Sequence, residues 1–392
     1  MDALKRYAKK VILRTALLPL RLLPVKKNRI ILFNNLAMNY SDNSKWVAEY
    51  ILQNFPDTFE IIVPVKDVTG YGWLEKKGIR VVRFNSLDYF KAAMTAKVFL
   101  TNSGGFSYLP LRKSQFVINT WHGGGAYKKC GMDMYEDTPL FRKDLELAGK
   151  KTNVFLSTCQ RFTDVISASM LTPKEVFWGI GMPRNDMLIN PDEKLRKEVR
   201  DRLGLNEDEK LILFAPTYRK PDDNYFKDSV AISYGVDCAR VCDALEKRFG
   251  GKWKFAFRFH PCVVNRDVLP EGNVIDLSDY PDMQELLLAS DAMLNDFSSS
   301  MWDFMLTGRP SFLFAIDLEH YVRTTQVYTP VEEWPFPKAV TNDELEKNIL
   351  EFNEASYAAA CKNHYDSLGG CETGMASKLV CEKIYEVCFQ KK

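Results

Sequence analysis

Long apolar runs are scarce in this 392-residue chain. The longest near the N-terminus, Val11 to Leu23, is broken by Arg14, Pro19 and Arg21. It is too short and too interrupted to span a bilayer. No small-residue cleavage site follows it, which argues against a signal peptide. The nine cysteines are an odd number and form no CxxC pair and no Cys/His ligand spacing. A secreted disulfide framework and a structural zinc site are both disfavoured, and cysteine reads as a small core residue in a reducing cytoplasm. No low-complexity tract occurs, and 21 Gly and 18 Pro are too few for a long disordered linker. No acidic cluster of metal-binding spacing stands out, so no tightly bound metal is expected; a loosely held Mg²⁺ stays open. Charge of one sign is also lacking overall, at a net +2.

That balance hides an asymmetry. Residues 1–29 carry nine Lys/Arg against Asp2, a segment of +8, which leaves −6 for the rest. Nucleic-acid binders carry basic surface on the fold itself, so no nucleic acid is expected as partner. Leu4, Tyr7, Ala8, Val11 and Ile12 follow helical spacing, with Lys5, Arg6, Lys9, Lys10 and Arg14 filling much of the rest. A basic amphipathic arm over 1–27 is predicted, suited to an anionic membrane surface. The alternative is a helix docked on its own fold with a solvated basic face.

The length suits two domains. Apolar β-rich runs alternate with helical patterns. Arg29–Asn34, Phe59–Val65, Ile79–Arg83, Val98–Asn102, Phe116–Trp121, Val154–Ser157 and Val176–Gly179 form one series. Leu211–Thr217, Lys254–Phe259, Val274–Leu277, Ala292–Asn295 and Ser311–Ala315 form a second. Such βα series imply parallel sheets. The fold class is α/β: two doubly wound Rossmann-like domains facing a cleft, the first over 28–185 and the second over 186–360. A helical tail fills 361–392. Ligands bind such sheets at the carboxyl ends of the strands.

Five polar clusters sit just past strands or between the series. Thr120-Trp121-His122-Gly123-Gly124-Gly125 puts an imidazole on a glycine turn whose N–H groups suit an anionic oxygen. His122 has the right pKa for a general base; a hydrogen-bonded structural histidine is the plainer reading. Arg258-Phe259-His260-Pro261 ends a strand, with Arg258 and His260 placed on one face by the two-residue alternation. A cation beside an imidazole suits phosphate; an edge histidine paired to a core acid is the alternative. In Asn295-Asp296-Phe297-Ser298-Ser299-Ser300, with Asp303 following, three serines open a helix, more than capping needs. Thr217 and Arg219 follow the strand Leu211–Thr217. The turn Gly181–Asp186 reads as an interdomain linker from which Arg184 reaches the cleft.

Taken together, TWHGGG (120–125), GMPRND (181–186), APTYR (215–219), RFHP (258–261), DLSDY (276–280) and NDFSSSMWD (295–303) resemble the CDP-glycerol glycerophosphotransferase family of teichoic-acid primases and polymerases. The tail Gly374-Met375-Ala376-Ser377 resembles that family's closing segment. The resemblance runs from about residue 100 to the C-terminus. It departs at Asn295, Phe297 and Trp302, where the family pattern has threonine, tyrosine and phenylalanine, and in the GGAYKK loop after His122. It implies a GT-B fold, acceptor on the first domain and a CDP-alcohol on the second. It implies transfer of glycerol or ribitol phosphate to a lipid-linked glycan or polyol-phosphate acceptor, at the cytoplasmic face of the bacterial membrane. His122 is then the candidate base. His260 joins it as a catalytic candidate holding the diphosphate with Ser298 and Ser299. Arg258, Ser300, Thr217, Arg219, Arg184, Asp296, Asp303, Gly123 and Gly124 are further binding candidates. A nucleotide-sugar glycosyltransferase and a non-catalytic membrane partner of wall-polymer assembly are the rival readings.

Overall fold

Strand β1 (Arg29–Phe33, RIILF) is buried along its whole length. A strand with no polar face must be covered on both sides, as in a parallel sheet flanked by helices. In the computed structural model it is an interior strand of such a sheet. The structure describes residues 2–34, 37–135, 138–217, 234–260 and 273–390.

β1 pairs with β2 (Glu60–Val65) and β4 (Val98–Thr101); β3 (Ile79–Arg83), β5 (Phe116–Asn119), β6 (Val154–Ser157) and β7 (Phe177–Gly179) complete the sheet. The order is β3-β2-β1-β4-β5-β6-β7. A second sheet holds β8 (Glu209–Phe214), β9 (Lys252–Phe257), β10 (Val274–Asp276), β11 (Ala292–Asn295), β12 (Ser311–Phe314) and β13 (Lys338–Ala339), in the order β10-β9-β8-β11-β12-β13. The two doubly wound α/β domains expected from the sequence are present. In each, strand order reverses beside the first strand, between β1 and β4 and between β8 and β11. Open α/β sheets bind ligands outside the carboxyl ends of the strands at such reversals.

The chain divides into Met1–Asp186 with Gly369–Lys392, and Met187–Leu368. The turn Gly181–Asp186 thus closes the first unit. The tail region splits: the helix Glu354–Ser367 stays with the second unit, and the helix Ala376–Phe389 returns to the first. Ala376, Val380, Ile384 and Cys388, four residues apart, form its buried stripe. They join Ile30, Leu32, Val63 and Leu100 on one face of the first sheet. Asp186 fastens the helix start, accepting from the N–H groups of Ala376 (2.9 Å) and Ser377 (2.7 Å).

The arm folds as the helix Asp2–Ala16 and a 3-10 turn, Leu18–Leu22. Leu13, Leu17 and Leu20 pack on the other sheet face, with Ile31, Phe33 and Phe99. Lys10 pairs with Asp144 at 2.5 Å. Arg112 Nη1 donates to the carbonyls of Arg21 (2.9 Å) and Leu23 (2.6 Å), holding the end of the turn. The outward side is apolar as well as basic: Leu4, Ile12, Leu18 and Leu22 are exposed among Lys5 and Lys9.

Candidate functional site

At the first switch point, polar residues follow directly on buried strands. Asn34 comes just after β1 and Asn102 just after β4. Because β1 and β4 are neighbours, the Asn102 amide donates to Asn34 Oδ1. The same amide donates to Asp42 Oδ2. Asp42 opens the helix Asp42–Asn54 with φ at 58°, a left-handed conformation costly for a residue with a Cβ. Its other oxygen takes Arg184 Nη1 at 3.0 Å. Arg184, only 5% exposed, also donates from Nη1 to the His122 carbonyl at 2.9 Å. Asn43 braces the same loops: its Nδ2 donates to the Trp121 carbonyl (3.1 Å) and its Oδ1 accepts from the Arg184 N–H (3.1 Å).

His122 stands at the centre of this lattice. Its Nδ1 lies 2.7 Å from the Asn102 carbonyl. A carbonyl only accepts, so Nδ1 carries the proton and Nε2 keeps its lone pair. The ring stacks on Trp121, centroids 4.7 Å apart. Trp121 and Ala126 have φ of 55°, and Gly125 of 71°, so the glycine turn is tightly wound. The Gly125 N–H is held by Thr158 Oγ1 at 3.2 Å. Part of the imidazole is open to solvent. The protein around it nevertheless lowers its pKa by desolvation, and Arg184 adds to this, while the Asn102 carbonyl and Asp42 oppose it. The net direction favours the neutral ring.

The turn carrying Arg184 is clamped by the returning tail. Glu372 accepts from the Met182 N–H (3.0 Å) and from Asn185 Nδ2 (2.8 Å). Gly181, at φ 81°, passes so close that a Cβ there would lie 2.1 Å from Glu372 Oε2.

At the second switch point, Asp296 follows β11 and is fully buried. Its Oδ1 accepts from the Thr217 N–H (2.8 Å), past β8, and from the Phe297 N–H. Asn295 Nδ2 donates to the Ser298 carbonyl (3.1 Å). Ser300 directs its hydroxyl (3.0 Å) and N–H (3.5 Å) to Ser298 Oγ. Ser299 occupies the cap position of the helix Ser300–Met305 without a side-chain cap bond. Asp303, buried, accepts from Gln284 Nε2 at 2.9 Å.

β9 stops at Phe257, so Arg258 and His260 lie beyond the strand and its alternation does not set their directions. Arg258 Nη2 donates to the Tyr280 carbonyl at 3.0 Å, and Nη1 lies 3.1 Å from Met283 Sδ. His260 is half-buried. The Phe259 N–H between them is held by Ser278 Oγ at 3.0 Å. Arg219 lies outside the described residues, as does Pro261.

The structure thus gathers His122, Gly123, Gly124 and Arg184 on the first unit. Thr217, Asp296 and the serine run meet at the second switch point, and Arg258 and His260 follow β9. Sequence reasoning missed Asp42, Asn43, Asn102 and Glu372. For Asn34 and Asn102 a signal existed: each is the first polar residue after an apolar strand. Among the described residues no three His, Cys, Asp or Glu side chains cluster as a metal-ligand set.

The sequence model for CDP-Glycerol:Poly(glycerophosphate) glycerophosphotransferase matches residues 16–386. The teichoic acid poly(glycerol phosphate) polymerase of Staphylococcus epidermidis is 28% identical over 92% of this chain, which spans 51% of that protein. The chain likewise spans about half, 49%, of the corresponding Bacillus subtilis polymerase. The teichoic acid glycerol-phosphate transferase of Staphylococcus aureus is 26% identical, with 98% of this chain and 100% of that one aligned. Among solved structures, the wall teichoic acid polymerase TagF superposes with a TM-score of 0.80 at 26% identity, covering 99% of this chain and 97% of that one.

Proposed function

Because the chain belongs to the CDP-glycerol:poly(glycerophosphate) glycerophosphotransferase family, we propose that it transfers glycerol phosphate or ribitol phosphate from a CDP-alcohol to an acceptor hydroxyl. The acceptor is a lipid-linked glycan or polyol phosphate of a teichoic-acid or capsule-type polymer.

The observation that carries the reading is the contact of His122 Nδ1 with the Asn102 carbonyl. With Nδ1–H committed to the Asn102 carbonyl, Nε2 takes the proton of the acceptor hydroxyl. The hydroxyl oxygen bonds to the β-phosphorus of the donor. The bond from that phosphorus to the bridging oxygen breaks, and CMP leaves with the oxygen. Phosphoryl transfer depends mainly on positioning and on charge stabilisation. That work falls to the second unit: His260, Arg258, Arg219 and the Ser298–Ser300 helix start are its diphosphate ligands, and Asp296 ties the loops after β8 and β11 together. The reading requires no tightly bound metal and is compatible with Mg²⁺ loosely held by the donor.

The test is a donor screen scored by nucleotide release. CMP from CDP-glycerol or CDP-ribitol, dependent on acceptor, is expected. UDP or CMP from sugar nucleotides alone would instead make the protein a glycosyltransferase, and no release from any donor would make it a binding component.

The same reading places the protein peripherally on the cytoplasmic face of a bacterial membrane. No helix of the described residues is long and apolar enough to cross a bilayer. The exposed Leu4, Ile12, Leu18 and Leu22 beside Lys5 and Lys9 suit shallow insertion into an anionic surface. Deleting residues 1–24 is expected to abolish pelleting with anionic liposomes; undiminished pelleting would remove the arm from this role.

A further inference from the structure

The loops leaving β1 and β2 carry apolar side chains that the core does not use. Met38 (44%), Val68 (46%) and Trp73 (46%) are exposed there. The loops are tied together: the Lys66 N–H donates to the Ala37 carbonyl at 2.7 Å, and the Tyr40 backbone hydrogen-bonds the Tyr71 hydroxyl. The Trp73 ring is held in place although half-open. Its indole meets the buried Tyr40 in a T-shaped contact, centroids 5.8 Å apart. Lys77 Nζ sits 5.4 Å over the ring. Tyr40 and Lys77 both grip Glu49: the phenol donates at 3.2 Å and the ammonium at 3.0 and 3.1 Å. An open tryptophan, with an ammonium over its ring and a carboxylate bound to that ammonium, offers an apolar plate next to polar groups.

Its position ties the plate to the chemistry. Tyr40 precedes Asp42 by two residues, and Asp42 is bonded to Asn102, which holds His122. β1 and β5 are two places apart in the sheet, which separates the Tyr40 loop from the His122 turn by roughly 10 Å along the same rim. The arm packs elsewhere: Leu13, Leu17 and Leu20 lie over one sheet face, and Tyr40, Tyr71 and Leu74 over the other.

We propose that Trp73, with Glu49 and Lys77, forms an acceptor subsite that stacks a pyranose ring and meets its hydroxyls. The proposal rests on the assignment of the acceptor to the first unit and deepens it. A pyranose has an apolar C–H face for the indole and equatorial hydroxyls for the carboxylate and ammonium. The Glu49–Lys77 pair keeps further acceptor and donor capacity for those hydroxyls, whereas an extended lipid chain would cover the pair without hydrogen-bonding it.

The test measures sugar binding apart from turnover. Saturation-transfer NMR on the full chain uses maltose and N,N′-diacetylchitobiose as probes. At least one is expected to bind. Trp73→Ala is expected to weaken it about tenfold, the loss of one aromatic contact, and Trp73→Phe to restore most of it. Glu49→Gln weakens it less. Equal binding by wild type and Trp73→Ala overturns the proposal, as does failure of both disaccharides to bind the wild type. A parallel drop in liposome pelleting for Trp73→Ala would make the plate a membrane contact and overturn it too. Nucleotide release from CDP-alcohols, assayed on the same samples, reports separately on the transferase reading.

Discussion

At the first switch point, side chains bind side chains. Asn34, Asp42, Asn102 and Arg184 converge beside His122: the Asn102 carbonyl meets its Nδ1, and the His122 carbonyl accepts from Arg184. At the second, a buried carboxylate binds backbone. Asp296 gathers the Thr217 and Phe297 N–H groups and so joins the loops after β8 and β11. The sheets share a topology, yet one crevice is wired to orient a single proton acceptor and the other to shape a cradle. Under the proposed function the difference suits a division of labour, with the proton acceptor on the first unit and the diphosphate ligands on the second.

The strongest way to break this comparison is to remove the base. His122→Ala is expected to lower transfer by about 10²–10⁴-fold, the usual worth of a general base. Binding of CDP-glycerol, measured by calorimetry, should be unchanged. Near-normal turnover would remove His122 from the proton transfer, and lost donor binding would dissolve the division between the units.

Matched substitutions of the two aspartates come next. Asp42→Asn keeps one acceptor oxygen, so its new NH2 faces either Arg184 or the Asn102 amide donor against donor, and one of the two contacts is lost. Charge-assisted hydrogen bonds are worth about 1.5–3 kcal/mol, so kcat should fall about tenfold to a hundredfold with donor KM little changed. Asp296→Asn should act on the other parameter and raise donor KM. If both variants lower only kcat, the second switch point belongs to the chemical step after all.

A pH profile sharpens the first half further. His122 must be neutral to accept a proton, and desolvation by the surrounding protein, with Arg184, holds its pKa below the ordinary 6.5. kcat/KM should therefore be flat through neutrality, with an acid limb below 6.5. Asp42 stabilises the imidazolium and Arg184 disfavours it. Asp42→Asn should move the limb to lower pH, and Arg184→Gln should move it higher. A limb that stays put in both variants would mean that another group titrates.

The pattern of legibility follows from the same physics. Both sheets were readable because their strands are short apolar runs, and His122, Asp296 and the serines were readable because each stands just past one. β13 is two residues long and leaves no periodic trace. The Asp42–Asn102–Arg184 lattice was hidden for another reason. It exists because β1 lies between β2 and β4, and because the tail returns to clamp the Gly181 turn through Glu372; strand order and chain return do not show in local periodicity. Arg258 and His260 were given one face by strand alternation, and the early end of β9 removed that reasoning while leaving the residues beside the crevice.

The mildest test falls on Ser299, where structure and ligand roles separate cleanly. A serine whose hydroxyl caps a helix costs about 1 kcal/mol when replaced by alanine. Ser299 occupies the cap position, but its hydroxyl makes no cap bond, while Ser298 and Ser300 bond to each other. Ser299→Ala should then leave the thermal midpoint unchanged. If its hydroxyl meets the donor diphosphate, the loss is one hydrogen bond of about 1 kcal/mol, and donor KM should rise about fivefold with kcat intact. Ser300→Ala breaks the bond to Ser298 and should lower the midpoint as well. A Ser299→Ala protein with unaltered donor KM would restrict the cradle to the loops that Asp296 joins, and would leave the helix start as scaffold.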